Sequence, residues 1–440
     1  MGNPFWDQLC AAVFSEPAAP YGVTGEGRLP SVYKTSDFAE ATIGLAGTAF
    51  ARLQGGAVAV DRRFASLWFD MTLRPIGWQV PSLWDAVAGN YACKDGWIRL
   101  HTSAPHHRVA ALSVLHVPAE RAAVAEVIAG WNGAELECAV VAANGCAAQM
   151  RSAEDWGEHP QGRAVAAEPL VHWEDHGECA PDARAGLRGT KVLDLTRVLA
   201  GPVATRFLAG FGAQVLRIDP PSWNETSVEM EVTLGKRCAG LDLKQSRDLA
   251  RLKVLLREAD VFVHGYRADA LERLGLGDGV RRALNPNLID VRLNAYGWGG
   301  PWRERRGFDS LVQMSCGIAV HGMLEAGADK PVPLPVQALD HGTGYLMAAC
   351  VLEALAQRRA GRVRSAKVSL ARTAHLLMQH PCAQVESGAI VLAASDSSAR
   401  IEATGWGDAH RIKVPLKVGG QGPVWALPAR PLRGDPAQFS

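Results

Sequence analysis

The chain has no surplus of charge: 46 Lys and Arg stand against 45 Asp and Glu, a net charge of +1 at pH 7. No bulk field therefore draws it to nucleic acid or to an anionic membrane. Cysteine is scattered, nine residues with no CxxC pair, and the odd total argues against a disulfide framework and for a reducing cytoplasm. No apolar run is long enough to span a membrane. The opening MGNPFWDQLCAAVF lacks the basic start of a secretion signal, and the residues after Gly2 do not fit a myristoylation site.

Several catalytic signatures are missing too. The loop after the buried strand KVLDL is TRVLAGP, without the GxGxxG that lets a pyrophosphate reach the backbone. Asp219 ends the next strand where an acid would hold a ribose, yet NAD or FAD is not expected. No GxxxxGK[ST] loop is present to cradle a phosphate, and no GxSxG turn presents a serine. His101, His106 and His107 cluster, and His264, His321 and His341 fall near loops, but none has HExxH or Cys/His ligand spacing. No resident metal is expected.

What is there is ordinary globular material, 48% hydrophobic and 21% charged over 440 residues, enough for two domains or three. Residues 1–80 read as a short helix (Trp6 to Phe14), a Pro/Gly-rich arm, a helix opened by Asp37 and a strand-like VAVD. Residues 81–172, with the pattern changing at Trp84, read as a small α+β domain. Its pieces are a strand in DGWIRLHT, helices in HHRVAALSVL and AERAAVAEVIAGW, and a Ser-capped helix broken at His159–Pro160. The polar stretch 173–187, WEDHGECAPDARAGL, is the best linker candidate.

Residues 188–440 carry the α/β signal. KVLDL, AQVLRID, DVFVHGY and NLIDVRLNAYG read as strands, alternating with helices in PVATRFLAGFG, SRDLARLKVLLREA and ALERLG. This alternation predicts a doubly wound, mostly parallel sheet, with ligands at the carboxyl ends of its strands in TRVLAGP, DPPSW and HGYRADA. Arg197, Lys236, Arg237, Lys244 and Arg267 fall near those ends. Solvation would explain them, and so would an elongated polyanion gripped by its phosphates.

Asp340 leads a small-residue helix, and two readings stay open there. An Asp at this place is a good N-cap. It also suits a nucleophile kept ionised by free N–H groups and the positive helix end. Laying Asp37 on Asp340 pairs TSDFAEATIGLAGTAFARL with ALDHGTGYLMAACVLEALA, each followed by a Gly/Arg turn and a valine-bearing strand, an internal repeat.

Four ordered motifs between about residues 187 and 375 resemble the family III CoA-transferases, the superfamily of formyl-CoA transferase, carnitine CoA-transferase and acyl-CoA racemase. They are LRGTKVLDLTRVLAGPVATRFLAGFGAQVLRIDPP, GKRCAGLDLK, ADVFVHGYRADALERLGLG and NPNLIDVRLNAYGWGGPWRERRGFDSLVQMSCG, followed by ALDHGTGYLMAACVLEAL. The resemblance implies a Rossmann-like large domain, a smaller α+β domain and an interlocked homodimer. It implies coenzyme A thioesters as substrates with no metal, NAD or flavin, and a small carboxylic acid as acceptor. Asp340 falls on the family's nucleophile, and Asp309 on an acidic position near the active site, with Gln313 beside it. Val198, Leu199 and Ala200 fall on the loop lining the CoA site, next to Arg197. Leu241, Lys244, Arg267 and Arg273 fall on CoA-contacting positions.

The racemase branch, which works by proton transfer at the α-carbon, has a His before the residue matching Asp309; here that place is Phe308. Transfer is the expected activity, with 2-methylacyl-CoA racemisation or a catalytically silent CoA-binding chain as alternatives. The segments resembling the family's small domain precede the Rossmann half, so the order reads as permuted. Asp37 then reads as a relic nucleophile.

Overall fold

The computed structural model describes residues 2–82, 85–182, 184, 186–267, 269–382 and 389–439. Trp84, Ala183 and Ala185 of the expected linker, and Ala268 of HGYRADA lie outside the described residues.

Six parallel strands form the main sheet, in the spatial order Lys236–Gly240, Gln214–Asp219, Lys191–Leu195, Val261–His264, Ile289–Asn294 and Arg362–Ser369. Numbered along the chain they run 3-2-1-4-5-6, the doubly wound order, so the α/β expectation holds. Their side chains alternate between two cores. Val192, Val215, Val261 and Val263 pack on one side with the helices Ala200–Gly210 and Ala338–Arg359. Leu193, Leu216 and Phe262 pack on the other with Ser246–Glu258. Burial on both faces is why these strands read as continuous apolar runs rather than as alternation.

A seventh strand, His172–Glu178, closes the sheet antiparallel to Arg362–Ser369. This corrects the reading of 173–187 as a linker. An edge strand tolerates charge, and WEDHGE uses it: Glu174 takes Arg292 at 2.7 Å and also Lys367, and Asp175 takes Arg362. Lys236–Gly240, at the opposite edge, was not anticipated because KRCAG is short and begins with two cations.

The smaller unit is a three-stranded antiparallel sheet, Gly89–Cys93, Gly96–Leu100 and Ala147–Gln149, with three helices, Pro105–Leu115, Arg121–Ile128 and Gly133–Ala142. Tyr91, Ile98, Leu115, Val124, Ile128 and Leu136 give it a core of its own. Arg305, beyond the last sheet strand before Asp309, reaches across to Glu137 at 2.9 Å and ties the unit to the large body. Behind it, Ser152 caps the helix Ala153–Glu158 in a capping box with Asp155, and the chain breaks at His159 before Pro160–Ala167.

The helix Ala338–Arg359 is buried nearly all round through Leu355, as a helix of small and apolar residues must be. One neighbour is Ala200–Gly210; the other is Thr35–Gln54, which carries Asp37. Among the described residues no helix is long and apolar enough to cross a membrane.

Candidate active site

The switch point of the sheet lies between Lys191–Leu195 and Val261–His264, where the strand order reverses. The loops leaving their carboxyl ends, with RERRG before Asp309, line a cavity of about 360 Å³. Its charge is basic: Arg197, Arg267, Arg303, Arg305 and Arg306 all contribute, with Trp223 and Tyr266 between them. The Arg197 guanidinium lies 4.7 Å from the Trp223 ring centre and 5.4 Å from that of Tyr266, and donates to the Tyr266 hydroxyl at 3.3 Å. A planar cation held between two aromatic faces is fixed in direction before any ligand arrives.

A second chamber of about 310 Å³ opens on the other side, lined by Phe69, Met71, Leu199, Val228, His101 and Asp309 among others. Val198, Trp223, Phe308 and Asp340 line both spaces. Asp340 therefore stands at their junction.

The wall between them is strained. Val198, a β-branched residue, has φ +64°, a region it reaches at a cost of roughly 1–3 kcal/mol. Glu225 accepts the Val198 N–H at 2.9 Å and the Trp223 indole N–H at 2.9 Å, and is itself paired with buried Arg217. The turn that follows needs Gly201, where a Cβ would lie 2.3 Å from Thr196.

The N-cap reading of Asp340 does not hold. The helix starts at Ala338 with Gln337 as its cap, and Asp340 is its third residue. Nor are the helix's first N–H groups left for Asp340 or for a nascent oxyanion. Asp309 accepts the Asp340 N–H at 2.9 Å, and the Leu339 N–H also acts on it. Gln313 donates its side-chain amide to Asp309 and accepts the Leu334 N–H at 2.8 Å. Gln313 is thus a positioning residue that holds Asp309, and Asp309 caps the Asp340 helix from a different helix, Asp309–Ser315.

The Asp340 carboxylate accepts no hydrogen bond among the described residues, and 7% of the residue is exposed. Burial raises its pKa, and the Asp309 charge raises it further. Burial also pushes Asp309 up, to about 6, against the hydrogen bonds that favour its ionised form. The expectation that the helix end keeps Asp340 ionised is thus reversed: its N–H donors serve Asp309, and the two acids titrate as a pair. His101 and His341 are held neutral, each driven down to about 3 by burial first, then by Arg99 and His107 for His101 and by Arg206 for His341.

Of the other residues anticipated, Arg197, Val198, Ala200 and Arg267 line the basic cavity and Leu199 the second chamber. Three lie elsewhere. Leu241 is buried in the core under Ser246–Glu258, Lys244 is exposed in a turn, and Arg273 is exposed and paired with Asp269. Lys236 grips no phosphate: it is fully buried, donating to Asp194 at 3.0 Å, the Pro202 carbonyl at 3.0 Å and Thr205. Asp219 is likewise sealed against Arg217 at 2.8 Å. Not foreseen were Arg303, Arg305 and Arg306, although RERRGFDS carried the signal as a cation run directly before Asp309.

The model of CoA-transferase family III matches residues 187–406, half of the chain. The chain belongs to that family. An acetyl-coenzyme A transferase, nodX, of Hypoxylon pulicicidum is 36% identical over 197 residues, covering 44% of this chain and 33% of the relative. A succinyl-CoA:glutarate CoA-transferase of Mus musculus is 29% identical over 260 residues, 56% of each. The crystal structure of Rv3272 from M. tuberculosis is 32% identical with a TM-score of 0.38, covering 44% of this chain and 57% of that one. The chain thus spans between about a third and just over half the length of these relatives.

Proposed function

We propose that the chain exchanges coenzyme A between an acyl-CoA and a free carboxylic acid, with Asp340 as the covalent carrier. One observation supports this above the others: the Asp340 carboxylate accepts no hydrogen bond among the described residues, its backbone N–H is held by Asp309, and it lines both a basic space and a largely apolar one. Arg197 and Arg267 suit the phosphates of CoA, and Val198, Leu199 and Ala200 the wall along which its arm runs.

The ionised Asp340 oxygen attacks the thioester carbonyl; the C–S bond breaks and CoA leaves as thiolate, giving a mixed anhydride. The thiolate then attacks the Asp340 carbonyl, releasing the donor carboxylate and leaving an aspartyl-CoA thioester. The acceptor carboxylate attacks that thioester, forming a second anhydride and freeing the thiolate again. Its attack on the acceptor's acyl carbon yields the new acyl-CoA and restores Asp340. No external proton donor or oxidant is needed, and one hard exchange becomes a series of easier ones. Asp309 and Gln313 keep the Asp340 helix in place throughout.

Asp309 must hold its charge while Asp340 also ionises. The cationic lining of the CoA side lowers that cost when substrate seats the pair beside Arg197 and Arg267. The reading includes a homodimer and a reducing, cytoplasmic setting. Intact-protein mass spectrometry with acyl-CoAs and hydroxylamine tests it: a hydroxamate at Asp340 is expected, absent in Asp340→Ala. No modification at Asp340 with any donor, alongside CoA binding, would overturn it in favour of a CoA-binding chain.

A second reading rests on His101, whose ring stacks on Phe308 with centres 3.7 Å apart. Its imidazole lines the same chamber as Asp340, but driven down to about 3 it is a weak base for an α-proton, so this reading stands second to transfer. Deuterium uptake into a 2-methylacyl-CoA without an acceptor acid would favour it.

A further inference from the structure

We infer that the acid exchanged at this site has an uncharged, apolar tail, and that the chamber beyond Asp340 discriminates against acyl groups bearing a second carboxylate. The inference rests on the transfer reading, which makes this chamber the one that receives the acyl group.

The two spaces meeting at Asp340 differ in charge as much as in lining. All five arginines that face the pair line the CoA side. The other chamber has no Lys or Arg among its described lining residues. Its only cation-capable groups among the described lining residues are His101 and His341, both held neutral, and its acids are Asp70, Asp85, Glu225, Asp309 and Asp340 itself. The cations behind its wall are engaged by acids: Arg217 by Asp219 and Glu225, Arg206 by Glu231, Arg108 toward Asp85 at 4.0 Å, while Arg99 donates to Asn90 at 2.8 Å and its charge acts on Asp309.

Asp85 spends one oxygen on the Val87 and Ala88 N–H groups and the Thr102 hydroxyl, and its other oxygen lies toward Arg108. Between these acids the wall carries Phe69, Met71, Ala104, Leu199, Val228 and Phe308, interspersed with serine and threonine hydroxyls and the amides of Asn224 and Gln337. A hydrocarbon tail gains by leaving water for such a surface. A carboxylate there would lose hydration, find no Lys or Arg among the described lining residues and lie among acids. A volume of about 310 Å³ is at the small end for ligand pockets, which fits a short or medium chain.

The test uses two thioethers of equal carbon count, S-hexyl-CoA and S-carboxypentyl-CoA, which bind but cannot transfer. Calorimetry on the full chain should show the hexyl compound binding at least about tenfold tighter. Met71→Arg, placing a cation on the chamber wall, should collapse that ratio toward one. Equal or tighter binding of the carboxypentyl compound to the unaltered chain overturns the inference, whatever the variant does.

In parallel, hydroxylamine trapping with hexanoyl-CoA and adipoyl-CoA separates this claim from the transfer reading. No hydroxamate from either, with the hexyl preference intact, removes the covalent role of Asp340 and leaves the chamber's selectivity standing. A hydroxamate formed faster from adipoyl-CoA than from hexanoyl-CoA removes the selectivity and leaves the nucleophile.

Discussion

Asp37 and Asp340 each sit as the third residue of a long small-residue helix, Thr35–Gln54 and Ala338–Arg359. Each helix leads to a strand, Val58–Asp61 and Arg362–Ser369, with one parallel and one antiparallel neighbour. Each strand's last residue caps the next helix: Asp61 accepts from the Phe64 N–H, Ser369 from that of Arg372. The two long helices run side by side in one direction, Phe38 against Gly342 at one end and Arg52 3.6 Å from Glu353 toward the other. The settings of the two acids are opposite. Arg62 grips both Asp37 oxygens at 3.2 Å and Glu40 at 2.8 Å. Asp340 has an acid behind it instead of a cation. A carboxylate matched with guanidinium is satisfied, whereas one pressed against Asp309 is short of partners. The backbone unit is shared; what differs is the group that stands behind the carboxylate.

The sharpest way to break the contrast is to remove each acid in turn. Asp340→Asn is expected to lower transfer by on the order of 10⁴-fold, as losing a covalent nucleophile does elsewhere, with no takeover by Asp37. Steady-state rates with an acyl-CoA and acid pair check this. Next comes the contact between the helices. A Cβ on Gly342 would lie 2.1 Å from the Phe38 ring, so Gly342→Ala should cost about 3 kcal/mol, read by denaturant unfolding.

Asp309→Asn should lower kcat by about 10²-fold through lost positioning. It should also move the rising limb of the pH–rate profile to lower pH. Asp340 must ionise to attack, and the like charge that holds its pKa up would be gone. The same repulsion has a sign in stability. Acids whose folded pKa is raised lend stability that is full below the unfolded aspartate value and is lost as pH rises through the folded value, about 6 for Asp309 and raised also for Asp340. Asp340→Asn should therefore raise Tm more at pH 8 than at pH 4. The smallest effect is expected at the matched acid: Asp37→Asn should leave turnover within a factor of about two and cost about 1 kcal/mol, since its side chain is 30% exposed.

Much of this was legible along the chain, because buried strands and helices between them leave a pattern that needs no partner to be read. KVLDL, AQVLRID and DVFVHGY form strands where expected, and Ser152 and His159 mark a helix start and a break. Two misreadings share a cause. WEDHGE looked like a linker and Lys236 like a phosphate ligand because polarity was taken to mean solvent. In the fold those charges meet Arg292 and Lys367 at a sheet edge, and Asp194 inside the core. The capping of the Asp340 helix by Asp309 leaves no local trace at all, since the two residues lie on separate helices and meet only through packing.

The seat of Phe38 in the notch at Gly342 also bears on protein engineering. Residues 1–80 carry no acid expected to react, and an engineer seeking a smaller catalyst would be tempted to discard them. Cropping there would strip a whole flank from the helix that presents Asp340 and bare a stripe of small residues with an aromatic-sized gap beside that acid. Such a product should come out of the cell as aggregate rather than as a minimal enzyme.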